Sequence, residues 1–137
     1  MYTNDDLLLR QACADLVARY AWLNDERRFE ELARLFTDDA VLYRPSAPDQ
    51  AITGRAAILE AMRKRPETTV TLHVTSDLLV ERKDANTVHL RSKMLMFSGA
   101  RSEPGSARPP AVGTFDDVLA LTPDGWKFAQ RRGALAF

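Results

Sequence analysis

The hydrophobic period of this chain changes at Pro66, and that change restricts the possible folds more than any other feature. Before Pro66, apolar residues recur mostly at helical spacing; after it, they alternate with polar ones. Residues 4–23 predict a helix, with Leu9, Cys13, Leu16, Tyr20 and Leu23 on one face and Ala12 beside them. Asn24-Asp25 interrupts the pattern. A second helix follows, with Phe29, Leu32, Ala33 and Phe36 on one side and Glu30, Glu31 and Arg34 on the other, ending at Asp38-Asp39. Residues 40–43 then read as a short strand, and the prolines Pro45 and Pro48 predict a loop over 45–50. Thr53-Gly54 opens a third helix, which turns Ala57, Ile58, Ala61 and Met62 to one side and stops at Pro66.

Beyond Pro66, Val70, Leu72 and Val74 alternate with Thr71, His73 and Thr75, and the pattern continues to Val80. Lys83-Asp84-Ala85-Asn86 predicts a turn, and Val88, Leu90, Met94 and Met96 alternate with His89, Arg91 and Lys93 in the returning strand. Residues 98–110, rich in Gly, Ser, Pro and Arg, read as a loop. Strands over 112–121 and 126–137 flank the turn Thr122-Pro123-Asp124-Gly125. Helices first and strands afterwards predict one α+β domain over 1–137, its curved antiparallel sheet covering three N-terminal helices. The hollow between sheet and helices is a natural place for a small molecule.

Composition narrows the function classes. Nineteen basic residues balance nineteen acidic ones, which removes the electrostatic drive toward nucleic acid or anionic lipid. Arg63-Lys64-Arg65 reads as the solvated end of the third helix. No apolar run approaches the ~18 residues needed to span a bilayer. The acidic start, Asn4-Asp5-Asp6, lacks the layout of a signal peptide. The single Cys13 sits in an apolar stripe as a core residue. A reducing cytoplasm is the expected compartment. His73 and His89 fall on separate strands with no ligand-like spacing, and no Gly-rich phosphate loop occurs. Neither a metal nor another cofactor is expected.

Several phrases resemble the SnoaL-like branch of the nuclear-transport-factor-2-like superfamily. They are YAWLNDERRFEELARLF from Tyr20 to Phe36, Thr37-Asp38-Asp39-Ala40, Gly54-Arg55-Ala56-Ala57-Ile58, and the closing Asp124-Gly125-Trp126-Lys127-Phe128 with Arg131-Arg132. The resemblance spans nearly the whole chain. It implies a cone-shaped α+β barrel, its antiparallel or mixed sheet wrapped around three helices, with a deep pocket and commonly a homodimer. It leaves the activity open, since the family includes dehydratases, isomerases, polyketide cyclases, non-catalytic binding domains and small subunits of ring-hydroxylating dioxygenases. A scytalone-dehydratase-like pocket would place its aspartate at Asp25, its strand tyrosine at Tyr43 and its first histidine at His73. Asn24 stands where that pocket has another tyrosine, and Met94-Leu95-Met96-Phe97 stands where it has a second histidine.

His73, Asp25, Tyr43 and Asp117 are therefore the candidate catalytic residues. An imidazole near neutral pH can accept and return a proton, and a neighbouring carboxylate fixes its tautomer. Each also has a plainer reading. Asp25 precedes the second helix and suits its N-cap. His73 has the polar parity of its strand and suits a solvent-facing position. Asp117 shares the apolar face of Phe115, Leu119 and Leu121, so it either pairs with Arg131 or Arg132 or enters the pocket as an acid or base; Asp116, opposite, is expected in solvent. Tyr20, Trp22, Phe36, Met62, Met94 and Met96 are expected as core or substrate-contacting residues, which suits a small hydrophobic ligand with fused or aromatic rings. The expected activity is cofactor-free dehydration, isomerisation or cyclisation next to a carbonyl. The alternative is a binding module or dimeric accessory subunit without chemistry. Leu95 and Phe97, at the otherwise polar parity, predict a homodimer through the outer sheet face.

Overall fold

In a computed structural model describing residues 1–137, Thr3 and Asp6 form a reciprocal cap at the start of helix α1 (Asn4–Asp25). The Thr3 hydroxyl accepts from the Asp6 N–H at 3.1 Å, and the Asp6 carboxylate accepts from the Thr3 N–H at 2.9 Å. Then come α2 (Phe29–Ala33), β1 (Phe36–Arg44), β2 (Ala47–Thr53), α3 (Arg55–Arg63), β3 (Thr69–Asp84), β4 (Thr87–Ala100), β5 (Ala111–Thr122) and β6 (Gly125–Leu135). The six strands form one sheet in the order β2-β1-β6-β5-β4-β3. Every pair is antiparallel except β1 with β6, which is parallel. The mixed sheet curls around the helices as a cone-shaped α+β fold. No helix is long and apolar enough to cross a membrane.

Three expectations need correction. The second helix ends at Ala33, because Phe36 is claimed by the sheet: it registers with Phe128, and the Phe128 N–H donates to the Leu35 carbonyl at 2.8 Å. Burial of that ring in the aromatic core outweighs its helical spacing. Residues 45–50 are not one loop, since β2 pairs back on β1 after a turn at Pro45-Ser46. Pro48 is tolerated because β2 is an edge strand, where a missing N–H breaks no ladder. The basic end of α3 is not wholly solvated: the Arg65 guanidinium donates to the Asn24 side chain at 2.6 Å and to the Asn24 carbonyl at 2.8 Å.

The core joins Leu9, Cys13, Leu16 and Tyr20 of α1 to Leu32, Ile58 and Met62 of the shorter helices and to Phe36, Leu90, Leu119 and Phe128 of the sheet. Burial pushes the Cys13 thiol up to about 11, which leaves it protonated and inert at neutral pH. Two bulges set which residues face this core. Between Ser76 and Leu79, with Asp77 at φ 55°, the inward parity of β3 switches to Leu78 and Val80. On β6, Val118 registers with Gln130 but Leu119 with Phe128, so Ala129 is the extra residue. That shift lets both Phe128 and Arg131 point inward.

A candidate proton-transfer site where the first helix meets β3

Before its bulge, β3 has the reverse of the usual polarity. Val70, Leu72 and Val74 are exposed on the outer face, while Thr71 and His73 face α1 and are largely covered. What looked like the solvent parity of the strand is its interior. Asp25 is the last residue of α1 and does not cap α2, whose N-cap is Arg28 with no side-chain hydrogen bond. A carboxylate at a helix C-terminus opposes the helix dipole, so something beyond the helix holds it there.

That something is β3. The His73 Nδ1 lies 2.5 Å from Asp25 Oδ1, the His73 backbone N–H donates to Oδ2 at 2.8 Å, and the Thr71 hydroxyl donates to Oδ1 at 2.9 Å. The two side chains are 10% and 12% exposed, so the pair is sheltered yet reachable. Nε2 of His73 makes no hydrogen bond to protein. With Nδ1 committed to the carboxylate, the neutral ring presents Nε2 as a free base. Arg65, clamped on Asn24, and Arg27, which donates to the Arg65 and Pro66 carbonyls at 2.9 and 3.1 Å, tie the end of α1 to the segment before β3.

The other candidates fall elsewhere. Tyr43 follows the buried Leu42 on β1 and therefore points to the opposite face, where the Arg132 guanidinium lies 4.0 Å from its ring centre; the structure does not bring it to His73. Asp117 and Arg131 are register partners, both fully buried, with Oδ2 and Nη1 3.4 Å apart. The Arg131 guanidinium lies 3.7 Å from the Phe115 ring centre and 4.2 Å from that of Tyr20. Burial pushes the Asp117 carboxyl up to about 7, against the lowering pull of Arg131. Neither side chain is exposed to solvent, so Asp117 belongs to the interior of the sheet and not to the surroundings of His73. Asp116, expected in solvent, engages His89 on the outer face.

Tyr20, Phe36 and Met62 are core residues, with Tyr20 edge-on to Phe36 and Phe128. Trp22 is 68% exposed and is not core, because the buried stripe of α1 runs through Leu16, Val17, Tyr20, Ala21 and Asn24, away from it; it lines a surface hollow with Arg19, Leu23 and Leu35. Met94 and Met96 do face inward beside the pair: His73 registers with Met96 and Thr75 with Met94, and Met96 keeps partial exposure. Phe97 faces out. Three surface hollows, one of about 630 Å³ between Arg27, Phe29, Arg34 and Arg63, include neither His73 nor Asp25 in their walls. No group of three or more His, Cys, Asp and Glu side chains is gathered as a metal site would need. Sequence reasoning missed Thr71, whose only signal was its place two residues before His73, on the same side of the strand.

The architecture is shared with known structures at low identity. A candidate scytalone dehydratase from Novosphingobium aromaticivorans superposes with a TM-score of 0.86 at 23% identity, covering 99% of this chain and 89% of that one. A hexachlorocyclohexane dehydrochlorinase gives 0.82 at 20% identity, with 97% and 88% covered. A protein from Catenulispora acidiphila in complex with S-DNPA gives 0.79 at 23% identity, with 94% of each chain covered. No curated protein matches the sequence. The sequence pattern of the SnoaL-like domain matches residues 5–132, and the chain belongs to that family.

Proposed function

We propose that this protein is an enzyme of the lyase or isomerase type, moving a proton on a small hydrophobic carbonyl or hydroxyl compound without a cofactor. The observation that carries the reading is the sheltered Asp25–His73 pair with a free Nε2. His73 takes the proton through Nε2 and returns it to the product or to a departing group. Asp25 holds the ring in the Nδ1–H form and balances the charge that develops on it. Dehydration, double-bond isomerisation and aldol-type cyclisation all use this equipment. The apolar side chains Met94 and Met96 next to the pair suit an apolar substrate. Two of the similar structures carry the names of eliminating enzymes, and a third holds a bound small molecule.

The direct test needs no known pathway. Cyclic and aryl ketones are incubated with the protein in deuterated water, and deuterium uptake beside the carbonyl is followed by NMR. Uptake that drops by about 10²- to 10⁴-fold in His73→Ala and in Asp25→Asn is the expected outcome. Uptake in the unsubstituted protein that survives His73→Ala unchanged would falsify the proposal. A second reading, a binding module without chemistry, is favoured by the inward packing of Met94, which is 4% exposed. It predicts ligand binding, by calorimetry, that is indifferent to His73→Ala. The outer face of the sheet suits a second copy of this chain, and a reducing cytoplasm suits its one buried thiol.

A further inference from the structure

The Asp25 carboxylate is gripped by more than the imidazole, and the additional grip comes from one side chain. Thr71 and His73 are two residues apart on β3, so both project toward α1. Thr71 is buried, and its hydroxyl donates to the same oxygen, Oδ1, that meets Nδ1 of His73. Other charges surround that carboxylate. Arg65 feels its field and Arg27 stands beside Arg65, while β4 contributes only the uncharged Met96 opposite His73. A carboxylate turns easily about its last bond, so a donor besides the imidazole is needed to set its plane, and the guanidinium groups nearby are spent on Asn24 and on backbone carbonyls.

Resting on the reading of Asp25 and His73 as an acid–base pair, we propose that Thr71 is a positioning residue whose hydroxyl fixes the carboxylate plane and thereby keeps His73 in its Nδ1–H tautomer. The β-branched side chain has a stiff χ1, so the donor is set in place before the carboxylate arrives. One short strand segment, Thr71-Leu72-His73, thus supplies the base, the backbone donor and the hydroxyl that hold one acid.

The experiment compares the unsubstituted protein with Thr71→Val and Thr71→Ser. Nitrogen-15 NMR of the neutral His73 ring reads the tautomer directly. The expected result is a pure Nδ1–H signature in the unsubstituted and Ser proteins and an added Nε2–H population in the Val protein. On a substrate turned over by the enzyme, kcat falls about 10-fold in Thr71→Val with KM unchanged, and Ser restores it. A Val protein with unaltered tautomer and kcat, or a Ser protein as impaired as Val, overturns the proposal. If Val does not fold, the unsubstituted protein decides: a held Thr71 hydroxyl proton exchanges slowly with solvent, and a freely exchanging one overturns the assignment. A tautomer change in Val together with turnover that ignores His73→Ala keeps Thr71 in this role and removes the acid–base reading instead.

Discussion

Asp117 and Arg131 face each other on adjacent strands, and no hydrogen bond reaches either carboxylate oxygen of Asp117 or any guanidinium nitrogen of Arg131. A buried ion pair with such sparse bonding is a poor source of stability, since desolvation rivals attraction. The consequence is measurable. Burial raises the Asp117 carboxyl from 3.8 to about 7, so between those values the folded chain keeps a proton that the unfolded chain has released. Stability attributable to Asp117 therefore falls as pH rises through that window and levels off above it. Urea unfolding across pH should show the advantage of the native protein over Asp117→Asn shrinking by at most about 4 kcal/mol; a pH-independent difference would contradict the assignment. The apolar neighbours Phe115 and Leu119 made the pairing with an arginine legible in the sequence. The choice between Arg131 and Arg132 was not, because it depends on the bulge at Ala129. Asp25 and His73 were visible as residue types, and the family resemblance put them in one pocket, but local pattern alone did not show that they meet: each had a sound local explanation, a helix cap and a wet strand position, and the docking of α1 on β3 excludes both.

Elements were read well where period and burial agree, and misread where tertiary pairing overrides spacing. α1, α3 and the long strands follow from their patterns, although β3 runs on to Asp84 and β4 to Ala100, into the residues read as turn and loop. β2 was hidden by Pro48, and the end of α2 by the helical spacing of Phe36, because a sheet edge and a parallel pairing with β6 are not written in local sequence. The close approach of β5 and β6 leaves its own trace. A Cβ added at Gly113 would stand 2.3 Å from the Ala134 carbonyl oxygen, a backbone atom that cannot swing aside. Gly113→Ala should lower stability by about 1–3 kcal/mol, read as a drop of several degrees in the thermal melt. An unchanged melting temperature would mean that the two strands are less tightly apposed.

For the molecule as a whole, the outer face of the sheet is the unfinished part. Leu72 registers with Phe97 and Val74 with Leu95, so the exposed residues of β3 and the outward residues of β4 merge into one apolar patch. The outward direction of Leu95 and Phe97 was legible from parity; the contribution of Val70, Leu72 and Val74 was not, because apolar strand residues are read as core by default. If a second copy covers the patch, Leu72→Lys should turn a dimer into a monomer in light scattering while leaving far-ultraviolet circular dichroism unchanged. A native protein already monomeric at about micromolar concentration would contradict this. β3 is also the terminal strand of the sheet and runs from Thr69 to Asp84, so its greasy side adjoins a strand edge that no other strand pairs, where Asp25 takes up the His73 N–H. Long apolar margins of this kind are templates for fibrous stacking when left bare. Assembly would then serve as self-protection, and the conditions that part the subunits, such as great dilution or newly made chains waiting for a mate, are those in which clumping begins.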